Sequence, residues 1–140
     1  MRDSSSTATV YDPVSDARRY VQNAKDILRE KADLNPETQY YRDKKYVRMA
    51  GNTLWNGVLL ILDAVFHVAK NKSHRNRPDF SDYQKAVAQR DQKLLDHVNV
   101  GYDVMHLSMG YDGILKKSIC IDGIRIANDI IDRCERMLMA

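Results

Sequence analysis

The chain has 140 residues, of which 44% are hydrophobic and 29% are charged, and its net charge is +3. This length suits one domain with a single core, and this balance excludes a disordered or membrane-embedded chain. The small net charge also argues against the dense basic face of a dedicated nucleic-acid binder.

The cellular compartment can be predicted from apolar runs and cysteines. No apolar run is long enough for a signal peptide or a membrane span. Cys120 and Cys134 are 14 residues apart on one predicted helix, about 20 Å, so they cannot pair within the chain. We expect a cytoplasmic protein with two buried, reduced thiols.

The first predicted element follows a flexible N-terminal tail at residues 1–11. The single helical domain then covers residues 12–140, and its first helix begins with Asp12 as N-cap and Pro13 at the first helical position. One face of this helix carries apolar residues at helical spacing: Val14, Ala17, Val21, Ala24 and Leu28.

The second predicted helix is the longest. Asn35 and Pro36 repeat the start signal, and the helix is expected to run to about Lys70. Its apolar stripe has heptad spacing, and Trp55 adds to a second stripe beside it, which suits a central helix contacted from two sides. The first stripe contains Val47, Gly51, Leu54, Val58, Ile61, Val65 and Val68.

Two further helices complete the predicted fold. Ser81 and Gln84 form a capping box for a third helix, which ends near the turn Gly110–Gly113, and the last helix runs from about Ile114 to Leu138. No segment alternates with period two for long enough to form a strand. We therefore predict an all-α, antiparallel up-and-down four-helix bundle.

Arg90, Asp91 and His97 form the first candidate site. On a continuous helix, Arg90 and His97 would share a face about 10.5 Å apart. His97 could act as general acid–base for attack by a ribose hydroxyl, while Arg90 neutralises phosphate charge. The alternative is two polar residues that flank the core and reach solvent. With 12 Arg and four His in the chain, about one such spacing arises by chance.

Asn52, Asn56, Asp63 and His67 lie roughly along one line of the second helix. A carboxylate and an imidazole four residues apart can share a hydrogen bond or bind a metal. The chain has only three glutamates and no Glu-x-x-His pair, so a di-iron site is not expected. We predict a polar seam within the bundle or at a subunit contact, with no metal and no cofactor.

A basic segment connects the second and third predicted helices. Lys70, Lys72, His74, Arg75 and Arg77 could hold an anion or an RNA backbone. No aromatic residue is interleaved with them to stack bases. Solvated turn residues are the alternative interpretation.

Residues 101–132 resemble a small bacterial family of unknown function. The family is marked by a Leu-His-Leu-Ser-like stretch, a Gly-Tyr-Asp-Gly turn and a closing helix that ends in Ile-Ile. The resemblance implies a helical fold over about residues 12–138 and assigns no activity. The matching residues are His106, Leu107, Ser108, Gly110, Tyr111, Asp112, Gly113, Ile130 and Ile131.

The helix order is also similar, more distantly, to HEPN domains (higher eukaryote and prokaryote nucleotide-binding) and to bundle proteins encoded in ribosomal-RNA intervening sequences. HEPN ribonucleases usually carry Arg, a polar residue and then His, closely followed by an aromatic residue, and they work as homodimers. Arg90, Asp91 and His97 match at the longest allowed spacing, and Tyr102 follows five residues later.

The functional prediction is a non-enzymatic helical protein that associates with itself or docks another protein. Its basis is a second helix with more apolar surface than one neighbour can cover. The alternative is a HEPN-like ribonuclease or nucleotide-binding component that uses Arg90 and His97. A third hypothesis is an anion or RNA-backbone binder through residues 70–77. No membrane partner is expected.

Overall fold

The computed structural model describes residues 11–68 and 78–140. The described part is mostly helical, which confirms the predicted all-α class. It contains five α-helices, one π-helical segment and one very small sheet. In chain order these are α1 Pro13–Lys31, β1 Leu34–Asn35, β2 Tyr40–Tyr41, α2 Lys44–Phe66, α3 Phe80–Ala88, α4 Gln92–Gly101, the π-helix Tyr102–Tyr111 and α5 Lys117–Met139.

The start of α1 is confirmed. The Asp12 carboxylate accepts hydrogen bonds from the backbone N–H groups of Val14 (3.1 Å) and Ser15 (3.2 Å), and Pro13 occupies the first turn. These bonds satisfy two of the N–H groups that a helix N-terminus leaves without partners. The buried residues of α1 are Ala17, Val21, Ala24 and Leu28.

The predicted start of the second helix at Asn35 is wrong, as is the expectation that no strand forms. β1 and β2 pair antiparallel, and the Asn35 side-chain oxygen accepts from the N–H groups of Glu37 (3.0 Å) and Thr38 (3.4 Å) within the turn that joins them. An Asn-Pro pair suits a turn as well as a helix start. The helix α2 begins instead after Asp43, whose carboxylate accepts from the Lys45 N–H at 3.2 Å.

Helix α2 is the centre of the fold and packs against α1, the π-helix and α5. It ends at Phe66, because His67 adopts the left-handed conformation with φ 49°. The expectation that no segment is apolar enough to span a membrane is wrong for α2, which meets that criterion by length and composition. The core helix of a soluble protein meets the same criterion. Ten of its residues are buried: Val47, Ala50, Gly51, Leu54, Trp55, Gly57, Val58, Ile61, Leu62 and Val65.

The third predicted helix breaks once and later changes to π-helical geometry, so the expectation of one continuous α-helix is wrong. It breaks between α3 and α4, and α4 then continues into the π-helix. The capping box of α3 uses Asp79 and Asp82 rather than Ser81 and Gln84. The new start at α4 exists because Asp91 acts as an N-cap, accepting from the Leu94 N–H at 3.0 Å.

Helix α5 begins at Lys117, three residues after the predicted start at Ile114. Before it, the Tyr41 N–H donates to the Leu115 carbonyl at 2.8 Å, which ties the hairpin to the start of α5. Cys120 and Cys134 are buried and free, and burial raises the pKa of each thiol to about 12.

Candidate functional site

The π-helix Tyr102–Tyr111 crosses α2 at very short range. A Cβ atom built on Gly51 would lie 2.5 Å from Met109 Cβ, 2.6 Å from the Gly110 nitrogen and 2.7 Å from the Met105 carbonyl oxygen. Only a residue without a side chain fits here. π-Helices are rare and frequently occur at functional sites. A π-helix of ten residues therefore makes Tyr102–Tyr111 a candidate functional region.

The Gly-Tyr-Asp-Gly turn that marks the family, Gly110–Gly113, lies against α2. The Asn52 amide donates to the Gly110 carbonyl at 3.4 Å, and Arg48 Nε donates to the Tyr111 carbonyl at 3.1 Å. Gly113 ends the segment with φ 65°, in the left-handed region that favours glycine. The structure thus brings one residue of the predicted polar seam into contact with the predicted family turn.

An aromatic cluster joins α2, α3 and the π-helix. Phe80 and Tyr102 stack with ring centroids 4.0 Å apart, and Trp55 meets Tyr102 edge-on at 5.6 Å. The His106 ring lies 5.0 Å from that of Tyr102. Within the described residues, the buried Nδ1 atom of His106 has no hydrogen-bond partner, which is an energetic cost.

All four residues of the predicted polar seam, Asn52, Asn56, Asp63 and His67, are exposed. Asp63 accepts a hydrogen bond from the Tyr83 hydroxyl at 3.2 Å, and partial burial raises the pKa of this carboxyl while that bond opposes the rise. His67 leaves the helix, and its backbone N–H donates to the Asp63 carbonyl at 2.9 Å.

We call one side of α2 its outer face: Lys45, Met49, Asn52, Asn56 and Asp63, all of which are exposed. Lys45 and Asp63 are 18 residues apart, which is five helical turns, so they point the same way. The half-buried Leu59 and Leu60 border this face. Sequence reasoning missed Lys45, although its spacing of 18 residues from Asp63 places it on this face.

The π-helix adds apolar surface beside the outer face. Leu107 is 36% exposed and Tyr111 is 74% exposed. On α2, Met49 is 43% exposed. Arg48 and Asn52 hold the π-helix backbone against α2. We call the outer face of α2 together with the exposed Leu107 and Tyr111 the α2–π surface.

The Arg90 side chain binds the C-terminal end of α2. Its guanidinium Nη1 donates to the Val65 carbonyl at 3.2 Å, and its Cζ atom lies 5.0 Å from the centre of the Phe66 ring. An arginine placed so satisfies a carbonyl that the helix end leaves without a partner and stacks on an aromatic face.

Asp91 caps α4 and also forms an ion pair with a residue of α5. Its carboxylate receives two bonds from Arg133, at 2.7 Å from Nε and 3.0 Å from Nη2. The bonds from Arg133 hold the pKa of the Asp91 carboxyl below its ordinary value. Sequence reasoning missed Arg133, because nothing in the local pattern links two residues 42 positions apart.

His97 borders a polar cleft of about 260 Å³ between α4 and α5, together with Lys93, Asp129, Asp132, Arg133 and Arg136. Arg90 is not among the residues that line this cleft. The structure therefore does not bring Arg90 and His97 together around one cavity, and the predicted catalytic role of the pair stays a prediction.

Two other predictions concern ions. The candidate anion-binding residues Lys70, Lys72, His74, Arg75 and Arg77 lie outside the described residues. Within the described ranges, no group of three or more His, Cys, Asp and Glu side chains is placed to hold a metal ion.

The fold and this surface define a mostly helical protein. The chain belongs to the family described as a domain of unknown function, DUF5618, which matches residues 12–136. The predicted membership of a small family of unknown function is thereby confirmed.

A solved structure supports the same assignment. The chain is similar to a protein of unknown function from Dyadobacter fermentans, with 39% sequence identity over 90% of this chain and 95% of that chain, and a TM-score of 0.79. None of the curated proteins matches the chain.

Proposed function

We propose that this chain is a non-catalytic helical interaction module that uses the α2–π surface to bind a second copy of itself or another protein. The observation that carries the proposal is the exposure of the apolar side chains Met49, Leu107 and Tyr111 on two elements that Asn52 joins by its bond to the Gly110 carbonyl. Methionine and tyrosine are enriched at protein interfaces, where apolar area is framed by polar groups.

The proposed architecture behind this surface is an antiparallel up-and-down four-helix bundle. In it α3, α4 and the π-helix act together as the third member, beside α1, α2 and α5. The packing of α2 against α1, the π-helix and α5 supports this arrangement. The two buried free cysteines fit a cytoplasmic location.

The proposal is tested by light scattering across a range of protein concentrations. We expect a concentration-dependent rise in mass above 16.2 kDa, and Met49→Lys should abolish it while leaving the melting temperature nearly unchanged, because an exposed site contributes little to folding. Leu138→Lys is the matched control, since Leu138 is 44% exposed at the far end of α5. A constant monomeric mass at every concentration would contradict self-association.

A HEPN-like ribonuclease is the second candidate. The polar cleft beside His97 favours it, since Lys93, Arg133 and Arg136 bring positive charge to a group that can transfer protons. Purified protein should then cleave RNA, and His97→Ala should abolish cleavage without lowering the melting temperature. Intact RNA after incubation with the wild-type protein would remove this candidate.

A further inference from the structure

The outer face of α2 has a charge pattern that reverses along its length. Lys45 lies at one end and Asp63 at the other, about 27 Å apart along the helix. Lys45 rests over the Tyr46 ring at 5.3 Å and forms no salt bridge within the described residues. Between the two charges the face carries only Met49, Asn52 and Asn56.

This pattern is symmetric about the level of Leu54. Lys45 and Asp63 are each nine residues from Leu54, and Asn52 and Asn56 are each two residues from it. Leu54 itself is fully buried on the opposite side of the helix, so it marks the level of the symmetry and makes no contact there.

We infer that the partner is a second copy whose α2 lies antiparallel to the first, around a two-fold axis at the level of Leu54. This inference rests on the proposed self-association. Lys45 then faces Asp63 of the partner subunit, and Asn52 faces Asn56 of the partner subunit. A two-fold interface is self-complementary, so each pair occurs twice.

Each opposed pair has matching chemistry. The ammonium group and the carboxylate attract each other, and two amides can each donate and accept a hydrogen bond. Met49 comes opposite Leu59 of the partner subunit, which pairs two apolar side chains. These contacts place apolar and amide groups at the centre and charges at the rim, as in other protein interfaces.

The parallel arrangement is disfavoured by the same residues. It would place Lys45 beside Lys45 of the partner subunit and Asp63 beside Asp63 of the partner subunit, and like charges repel. The two helix dipoles would also be aligned side by side, whereas the antiparallel arrangement opposes them.

Charge reversal tests the pairing. Lys45→Asp should weaken association about tenfold, because each substitution breaks two symmetric rim pairs. The double variant Lys45→Asp/Asp63→Lys should return the dissociation constant to within about threefold of the wild type. Absence of rescue in a double variant that melts like the wild type would contradict the pairing.

Disulfide formation between single-cysteine variants tests the register without altering Asp63. A mixture of Asn52→Cys and Asn56→Cys proteins should cross-link several-fold more than either protein alone. In this register unlike positions face each other, whereas like positions are offset by about 6 Å along the helix. The native thiols stay out of the reaction, because both are buried.

These experiments separate the two levels of the proposal. A dimer whose mixed and unmixed cysteine variants cross-link equally would overturn the antiparallel register while self-association stands. A monomer at all concentrations would overturn both. Preferential cross-linking in the mixture, together with rescue by charge reversal, supports the antiparallel α2 pair.

Discussion

The break in the third predicted helix and its later change to π-helical geometry are stabilised in different ways. The break between α3 and α4 is fixed by directional polar contacts, namely Asp91 with Arg133 and Arg90 with the Val65 carbonyl. The π-helix is fixed by close packing against Gly51, and it contains a buried nitrogen, His106 Nδ1, without a partner in the described structure.

This difference predicts different sensitivities. A contact between charged side chains responds to charge and pH, and a conservative substitution keeps part of it. A backbone contact in a close-packed crossing responds to volume, since neither main chain can move away without disturbing its own hydrogen bonds. Substitutions at Gly51 and at Asp91 therefore distinguish the two regions.

Gly51→Ala should have the largest effect. The added methyl would meet the Gly110 nitrogen and the Met105 carbonyl oxygen at less than 3 Å. We expect a loss of about 2 kcal/mol or more in the free energy of unfolding, even though alanine favours a helix over glycine by about 1 kcal/mol. Denaturant unfolding of the monomer measures it.

Gly101→Ala is the matched control for Gly51→Ala. Its Cβ would meet Met105 Cε at 2.6 Å, and the next atoms lie at 3.3 Å and beyond. The end of a methionine side chain can move aside, so we expect stability within about 1 kcal/mol of the wild type. Equal losses in the two variants would show that the crossing at Gly51 is not specially close.

Asp91→Ala should have an intermediate effect. It removes the N-cap of α4, which usually costs about 1–2 kcal/mol, together with the partner of Arg133. Asp91→Asn is the control, because its amide oxygen still caps the helix while the negative charge is gone. Thermal unfolding should therefore rank the wild type above Asp91→Asn, and Asp91→Asn above Asp91→Ala.

The Asp91–Arg133 pair should also make the folding stability depend on pH, with a sign that can be predicted. Because Arg133 lowers the pKa of Asp91 in the folded protein, this carboxylate stabilises the fold fully above its unfolded pKa of about 3.9. The contribution is lost as pH falls through the lower folded pKa. The stability gap between the wild type and Asp91→Asn should hence narrow below about pH 4, and a constant gap would contradict the charge pairing.

His106→Phe should have the smallest effect. It removes the buried Nδ1 atom that has no partner among the described residues and keeps a ring beside Trp55 and Tyr102. We expect unfolding stability to stay equal or to rise by up to about 1 kcal/mol. A loss of more than 1 kcal/mol would mean that the imidazole makes a favourable polar contact after all.

Local sequence patterns predicted the parts of the fold that depend on near neighbours. The Asp12 cap and the buried stripe of α2 follow from spacing along the chain, and both are confirmed except for Val68, which lies beyond the helix end and is half-buried. The Asn35 start failed, because the same side chain can cap a helix or close a turn and local sequence does not distinguish them. The β1–β2 hairpin, in which Asn35 closes the turn, is also bridged to Lys116 through Tyr40.

The candidate site was predictable only in pieces. Asn52 and the turn at Gly110 were each singled out from sequence, yet their contact depends on the close crossing at Gly51. The separation of Arg90 from the cleft beside His97 follows from the helix break at Asp91. That break depends on Arg133, which comes 42 residues later and from another helix.

By itself, the sequence determined that the chain is helical, where α1 begins and which side of α2 is buried, because helix periodicity and capping act over one or two turns. Only the tertiary structure decided where the third helix breaks, where it becomes a π-helix and which polar residues meet. Those outcomes depend on contacts between residues far apart in the chain, whose geometry no local pattern contains.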